Sequence, residues 1–100
     1  MKPSKTPARK KTVSQPQQRT LLQRLTRIEG QVRGIARMIE EKRYCVDVLT
    51  QISAVHAALG AVSARLLEDH TRGCVQSAIR SGAGEEAIGE LMRIVRKLSR

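Results

Sequence analysis

Apolar residues recur along most of the chain at a spacing that predicts helices. From Leu21 to Ile39, and again from Val48 to Leu66, they alternate steps of four and three residues. This spacing keeps apolar side chains on one face of an α-helix and is typical of helices that pack along a shared seam. A shorter amphipathic stretch, with apolar residues at 88, 91, 95 and 98, predicts a third helix. No alternation typical of strands is found, so the pattern predicts an all-α fold.

The breaks between these stretches set the expected helix ends. The segment 42–44 separates helix 1 from helix 2, and helix 2 is expected to run to about Arg80 and stop at 81–84, where two glycines occur. Gly30 and Gly34 lie one turn apart in helix 1, and each costs about 1 kcal/mol of helix propensity relative to alanine. We interpret this pair as a close backbone approach. A long hairpin with one short extra helix cannot close a core alone, so pairing with a second copy is expected.

Positive charge is concentrated at the amino terminus. The net charge is +10, and residues 1–19 contain six basic residues and no acidic one. We interpret residues 1–17, which are rich in Lys, Pro, Ser, Thr and Gln, as a disordered basic arm, and residues 18–100 as the helical domain. Such a charge favours a polyanionic partner. Nucleic acid is the first candidate, with an anionic membrane surface or plain solubility as the alternatives.

The composition also narrows location and activity. We find no run of about 18 apolar residues and no apolar segment typical of a secretory signal, so neither a transmembrane helix nor export is expected. A cytoplasmic location follows, where two cysteines are more often free, metal-binding or redox-sensing than joined in a structural disulfide. We find no carboxylate pair, nucleophile–base arrangement or phosphate loop, so an enzyme is not expected.

Cys45, His70 and Cys74 form the candidate metal-binding set. His70 and Cys74 are four residues apart, so on a helix they share one face. Cys45 lies 25 residues before His70 on the same predicted helix, a separation of about 37 Å at 1.5 Å per residue. Cys45 therefore cannot join His70 of its own chain if helix 2 is continuous. Two copies packed antiparallel remove this difficulty, because the start of one helix 2 then meets the end of the other.

The donor types indicate which ion is expected. Two thiolates and one imidazole favour a soft or borderline metal, and Cu(I) accepts three ligands of this kind. Zn(II) prefers four ligands, and no fourth is evident. Two alternatives remain open from spacing alone: buried cysteines with a capping histidine and no metal, and a disulfide between Cys45 and Cys74.

Three separated blocks of the sequence resemble the copper-sensitive operon repressor (CsoR) family, within the CsoR/RcnR type of metal sensors. They are RIEGQVRGI at 27–35, YCVDVLTQISAV at 44–55 and LLEDHTRGCV at 66–75. The resemblance covers about residues 20–98. It implies a three-helix protomer whose helices 1 and 2 form an antiparallel four-helix bundle dimer, with dimers assembled into a tetramer.

The resemblance also implies a function and its residues. The expected activity is repression of transcription by binding double-stranded operator DNA, with release when Cu(I) binds Cys45 of one protomer and His70 and Cys74 of the other. Tyr44 and Glu90 match positions that contact the ligand histidine in copper-sensing members. On predicted helix 1 we add four basic candidates for contacts to DNA phosphates: Arg24, Arg27, Arg33 and Arg37.

Other inducers and other functions stay open at this point. Nickel and cobalt sensors of the family usually have histidine where Cys74 stands, and formaldehyde and persulfide sensors keep the first cysteine but change the other positions. The intact Cys-His-Cys pattern favours Cu(I). Outside repression, the chain could be a copper buffer or chaperone with a basic tail, or an architectural DNA-binding protein with inert cysteines.

Overall fold

The computed structural model describes residues 12–98, all of whose regular structure is helical. The elements are, in chain order, α1 (Gln18–Glu40), α2 (Cys45–His70), a π-helical turn (Thr71–Val75), α3 (Gln76–Arg80) and α4 (Gly84–Leu98). The all-α prediction is confirmed. Most of the predicted basic arm lies outside the described residues, and 12–17 form only irregular chain and a turn before α1.

α2, the π-helical turn and α3 form one uninterrupted helical span. It runs from Cys45 to Arg80, 36 residues, which corresponds to about 54 Å at 1.5 Å per residue. The longest dimension of the molecule is 56 Å, so this span sets its length. The predicted end at Arg80 is confirmed, and the expectation of a largely continuous second helix is met.

Alternate apolar positions of α1 and α2 have opposite environments. On α1, Leu21 and Ile28 are buried and Ile35 is half-buried. They face α2, where Val62 and Val48 are buried and position 55 is half-buried. Each set repeats every seven residues, as in helices that share one seam. The hairpin core therefore uses only half of the apolar positions that the sequence pattern provides.

The other half of the apolar positions lies exposed. Six large side chains, again spaced by seven residues on each helix, keep between 38% and 61% of their surface accessible: Leu25, Val32, Ile39, Ile52, Leu59 and Leu66. We call these six residues the apolar stripe. A monomeric soluble protein rarely leaves so many large apolar side chains exposed along one face, and such patches mark interaction sites.

The span Cys45–Arg80 is also long and apolar enough to cross a membrane, with a mean hydropathy of 1.5 over its best 18-residue window. This differs from the expectation that the chain has no such segment. Small alanines and valines raise the average without forming an unbroken apolar run, because Gln51, Ser53 and His56 interrupt them. Only 17% of that window is buried inside the chain. A helix that covers its apolar surface with other protein has the same composition.

The interpretation of the glycine pair in α1 is wrong within the chain. A Cβ added at Gly34 would meet nothing within 4 Å, and one at Gly30 would meet only the end of the Arg33 side chain. Both glycines lie on the side of α1 away from the buried Ile28, because 3.6 residues make one turn. No close backbone approach within residues 12–98 therefore requires them.

A side-chain hydrogen bond links the end of α2 to the start of α1. The Arg65 guanidinium donates to Oε1 of Gln17, the residue that immediately precedes α1, and the contact is partly buried. Because α1 and α2 run antiparallel, Arg65 reaches this point from a position five residues before His70. The start of α1 is thereby fixed to the carboxyl-terminal part of α2.

The turns that end α1 and α3 share one geometry. The Lys42 N–H donates to Ile39 and the Arg43 N–H to Met38, while the Gly82 N–H donates to Ile79. Both turns place one residue in the left-handed region, with φ of 56° at Lys42 and 91° at Gly82. Glycine adopts this conformation at little cost, whereas a residue with a Cβ is strained there.

We expect Lys42→Gly to raise the free energy of unfolding by about 0.5–1 kcal/mol and Gly82→Ala to lower it by about 1 kcal/mol, because only glycine is unstrained at positive φ. The measurement is urea unfolding followed by far-UV circular dichroism at one fixed protein concentration. Gly34→Ala is the control, since it lies inside α1 with open space and should be stabilising through helix propensity alone. Shifts of the same sign at positions 42 and 82 would contradict the shared turn geometry.

Candidate functional site

Cys45 lies at the first position of α2, directly after the turn that ends α1. Its thiol is exposed, and it lines a shallow cleft together with Ile39, Lys42 and Leu49. Tyr44, the residue before the helix, is 69% exposed. Within residues 12–98 nothing covers this end of α2, so in this part of the chain the thiol is open to a ligand or to another chain.

His70 and Cys74 lie together at the opposite end of α2. His70 is its last residue and Cys74 belongs to the π-helical turn that follows. Both side chains are half-buried, and they are separated by one helical turn. The expectation that they are neighbours is therefore supported by the backbone, although the turn between them is wider than the α-helical turn that the spacing implied.

The widened turn contains two residues that favour the α-helix only weakly. The Thr71 hydroxyl donates to the Leu67 carbonyl at 2.9 Å, and threonines that do so compete with the backbone ladder and bend helices. Gly73 adds a position of low helix propensity. Arg72 and Glu68 form an exposed ion pair at 3.1 Å across the same turn. π-Helical turns inside α-helices occur frequently at functional sites.

The third member of the set is far from the other two. Because α2 is continuous over its 26 residues, the sequence-based separation of about 37 Å between Cys45 and His70 stands. Within residues 12–98, no group of three or more His, Cys, Asp or Glu side chains can hold one metal ion in a single chain. Each protomer thus contains one donor at one end of α2 and two at the other.

Of the two residues expected beside the ligands, Glu90 lies near His70 and Tyr44 does not. His70 and Glu90 line the same cleft of about 340 Å³ between α2 and α4, along with Leu66 and Leu91. Tyr44 lies at the Cys45 end of the protomer. The structure therefore divides this pair between the two ends of α2 in the same way as it divides the donors.

Asp69 adds a polar atom that sequence reasoning did not use. Its Oδ2 is buried and has no hydrogen-bond partner in the described part of the chain. Buried polar atoms almost always have a partner, in the protein or in ordered water. Its partner is therefore expected outside residues 12–98, as ordered water or as a donor group of the protein.

The four arginines proposed for phosphate contacts are all exposed on α1. They do not share one face, because at 3.6 residues per turn Arg33 and Arg37 point away from the buried seam whereas Arg24 lies beside it. Arg33 also has an intrahelical partner, Glu29, at 3.7 Å. The outward side of α1 therefore includes only part of the predicted set.

Sequence reasoning missed a shallow cleft at the start of α1. It is lined by polar and apolar side chains: Gln15, Pro16, Gln18, Arg19, Leu22, Gln23 and Thr26. We call these seven residues the α1 cleft. The sequence around it, QPQQRTLLQ at 15–23, is rich in glutamine, and this enrichment was the available indication.

Comparison with known proteins identifies relatives over most of the chain. The family model described as metal-sensitive transcriptional repressor matches residues 17–97. The copper-sensing transcriptional repressor CsoR of Bacillus subtilis is 58% identical over 77 residues, which are 77% of this chain and 76% of the relative. The copper-sensing transcriptional repressor RicR of Mycobacterium tuberculosis is 60% identical over 68 residues, 68% of this chain and 70% of the relative.

Solved structures agree with these relatives. The Cu(I)-bound copper-sensing repressor CsoR of Geobacillus thermodenitrificans superposes with a TM-score of 0.83 at 45% identity, covering 89% of this chain and 93% of that one. The nickel-responsive transcriptional regulator InrS superposes with a TM-score of 0.71 at 37% identity, covering 87% and 98%. The matched sequence blocks, the helical fold and these similarities lead to one conclusion: the chain belongs to the family of metal-sensitive transcriptional repressors.

Proposed function

We propose that this chain is a Cu(I)-responsive repressor that binds operator DNA without copper and is released when Cys45, His70 and Cys74 bind Cu(I) between two subunits. One observation carries the proposal: the donors are divided between the two ends of a continuous α2 whose exposed apolar side chains are placed for antiparallel pairing. The family consists of transcriptional repressors and not of enzymes, in agreement with the expectation from the sequence. Action on DNA in the cytoplasm follows from that family role.

The apolar stripe supplies the surface for pairing. Its six side chains lie on the face of the α1–α2 hairpin beside the buried seam, and two hairpins that join these faces form an antiparallel four-helix bundle. When this stripe packs against the same stripe of a second copy, a two-fold dimer results. The buried oxygen of Asp69 without a partner is consistent with contacts from another chain. We propose further that such dimers assemble into tetramers.

The register of this pairing brings the donors together. The exposed α2 residues Ile52, Leu59 and Leu66 are spaced by seven, so an antiparallel pair with Leu59 on the two-fold axis sets Ile52 against the partner's Leu66. The same register sets Cys45, two heptads before Leu59, against the partner's Gly73. That position lies between His70 and Cys74. Two equivalent three-donor sites per dimer result.

The donor chemistry fits Cu(I). Two thiolates and one imidazole are soft or borderline ligands, and three of them suffice for Cu(I), whereas Zn(II) takes four ligands in structural sites. Two relatives described as copper-sensing repressors support this assignment. In the same dimer, Tyr44 of one subunit approaches the cleft that holds the partner's His70 and Glu90. Hydrogen bonds from such neighbours orient a ligand histidine.

DNA binding is proposed to be mainly electrostatic. Arg24, Arg27, Arg33 and Arg37 are exposed candidates for phosphate contacts, with help from the basic arm 1–17, and the net charge is +10. The chain contains no Phe or Trp, so stacking on bases contributes little. Phosphate contacts release counterions, and affinity then falls steeply as salt rises.

Copper and DNA are linked through one equilibrium. Bringing Cys45 of one subunit to His70 and Cys74 of the other fixes the relative position of the two α2 helices, and His70 shares its cleft with Glu90 of α4. If this arrangement has lower affinity for the operator, DNA must weaken copper binding by the same factor.

A second candidate is a same-family sensor of another inducer. The nickel-responsive regulator InrS shares the fold at 37% identity, so the fold alone does not select the metal. The further alternatives are a persulfide sensor, a formaldehyde sensor, and a copper buffer or chaperone.

We expect Cys45→Ala and the double variant His70→Ala/Cys74→Ala each to lose tight Cu(I) binding, and a mixture of the two to recover it. In a mixed dimer, Cys45 of the double variant meets the intact His70 and Cys74 of its partner, which restores one of two sites. The measurement is anaerobic competition with a Cu(I)-specific chelator after subunit exchange. There are two controls: the double variant alone, and the double variant mixed with Cys45→Ala/His70→Ala. No intact site forms in either of them. Failure to recover binding in the first mixture would contradict a site shared between two subunits.

We expect tight, salt-sensitive binding of the copper-free protein to DNA from upstream of its own operon, and at least roughly tenfold weaker binding with one Cu(I) per protomer, the usual range of allosteric coupling. Fluorescence anisotropy under anaerobic reducing conditions measures both. His70→Ala should keep DNA binding and lose the copper response. If Cu(I) leaves the affinity for DNA unchanged, another inducer is indicated. If the protein does not bind DNA at all, a copper buffer is favoured.

A further inference from the structure

The α1 cleft contains the side-chain types that read base edges in DNA. Glutamine pairs with adenine through two hydrogen bonds, arginine pairs with guanine in the same way, and an apolar group contacts the thymine methyl. Gln18, Gln23, Arg19 and Leu22 supply all three types within two turns of α1. We propose that this cleft faces the major groove of the operator and determines sequence selectivity. The inference rests on the proposed function as a repressor.

Part of the cleft lies on the outward side of α1, which also includes Arg33 and Arg37. Arg19 and Gln23 point away from the buried Leu21 and Ile28, since 3.6 residues make one turn. Gln18, seven residues before Leu25, instead continues the line of the apolar stripe. Neither the core of the hairpin nor the proposed dimer therefore covers Arg19 and Gln23.

The polar side chains of the cleft are available to an external partner. Gln18, Arg19 and Gln23 are exposed and make no side-chain hydrogen bond or ion pair to another residue within 12–98. The Thr26 hydroxyl donates to the Leu22 carbonyl at 2.9 Å. The Thr26 methyl group remains available for apolar contact. Leu22 is 53% exposed, so the cleft combines open amides, one cation and an apolar floor.

The positive charge of this part of the chain favours DNA as the ligand of the α1 cleft. Residues 1–28 contain eight basic residues and no acidic one, and the first turn of α1 has no acidic side chain. Further along α1 the balance changes, because Glu29 pairs with Arg33. Positive charge is thus least compensated in the part of the sequence that contains the cleft, and such a charge attracts a polyanion. An α-helix fits the width of the major groove.

The start of α1 is also held in place, as a reading surface requires. Arg65 of α2 donates to Gln17 immediately before the cleft. The Gln17 amide oxygen is thereby engaged inside the protein, and the neighbouring Gln18 remains exposed. A fixed first turn reduces the ordering cost when the cleft meets a base sequence.

The test compares operator DNA with a scrambled duplex of the same length and composition. With full-length copper-free protein, Gln23→Ala should lower affinity for the operator by at least about tenfold, the usual effect of losing one bidentate base contact. Affinity for the scrambled duplex and the salt dependence on either duplex should stay unchanged. Gln76→Ala is the matched control, since it removes an exposed amide on α3 outside the cleft, and it should change neither affinity.

Arg33→Ala supplies the contrasting pattern. As a phosphate contact it should weaken binding to both duplexes equally and reduce the salt slope by about one. If Gln23→Ala shows this pattern, or leaves both affinities unchanged, the reading role is overturned. If Leu22→Ser changes the assembly mass in sedimentation and leaves selectivity intact, the cleft is an interface between copies and the proposal fails. A wild-type protein that does not discriminate the two duplexes would instead overturn the proposed function.

Discussion

The rigidity of one long helix is the constraint on which the proposed site depends. The span from Cys45 to Arg80 is uninterrupted, and a helix cannot shorten the distance between its ends. Cys45 and His70 are therefore kept about 37 Å apart in every protomer. A three-donor site can form only if another chain reverses the direction of this helix. The proposed metal site can therefore exist only in an assembled protein, and a monomer can bring together no more than two of the donors.

The same constraint explains why only half of the apolar seam is used within the chain. The hairpin buries Leu21, Ile28 and Val62 and leaves the stripe that includes Leu59 exposed. With one aromatic residue in 100, the protomer has little other apolar area to bury, and small domains with limited cores gain stability by oligomerisation. The exposed stripe also raises the hydropathy of α2 to a value that a membrane helix would have. In the proposed dimer, burial between subunits accounts for this composition without a bilayer.

Sequence periodicity was sufficient to predict the helices and the separation of the donors, but not the local departures. The end of helix 2 near Arg80 followed from Gly82 and Gly84. The left-handed Lys42 gave no such indication, because nothing in a lysine marks positive φ. The π-helical turn at Thr71–Val75 had no indication in the sequence, because Thr26 and Thr50 make the same hydroxyl contact as Thr71 inside regular α-helices. The Gly30–Gly34 pair misled, because low helix propensity does not say which molecule, if any, comes close.

The antiparallel hairpin places both functional regions at one end of the protomer. The start of α1, with its cleft, lies beside the end of α2, where His70 and Cys74 are found, and the Arg65–Gln17 hydrogen bond joins the two elements. Arg65 precedes His70 by five residues, about 7.5 Å along the helix axis. In the proposed dimer, a displacement of the end of α2 when the partner's Cys45 joins the site would reach the first turn of α1 through this hydrogen bond. The proposed copper binding and the proposed sequence reading would then be coupled over a short distance, since the Arg65–Gln17 hydrogen bond connects the start of α1 to the end of α2 that contains His70 and Cys74.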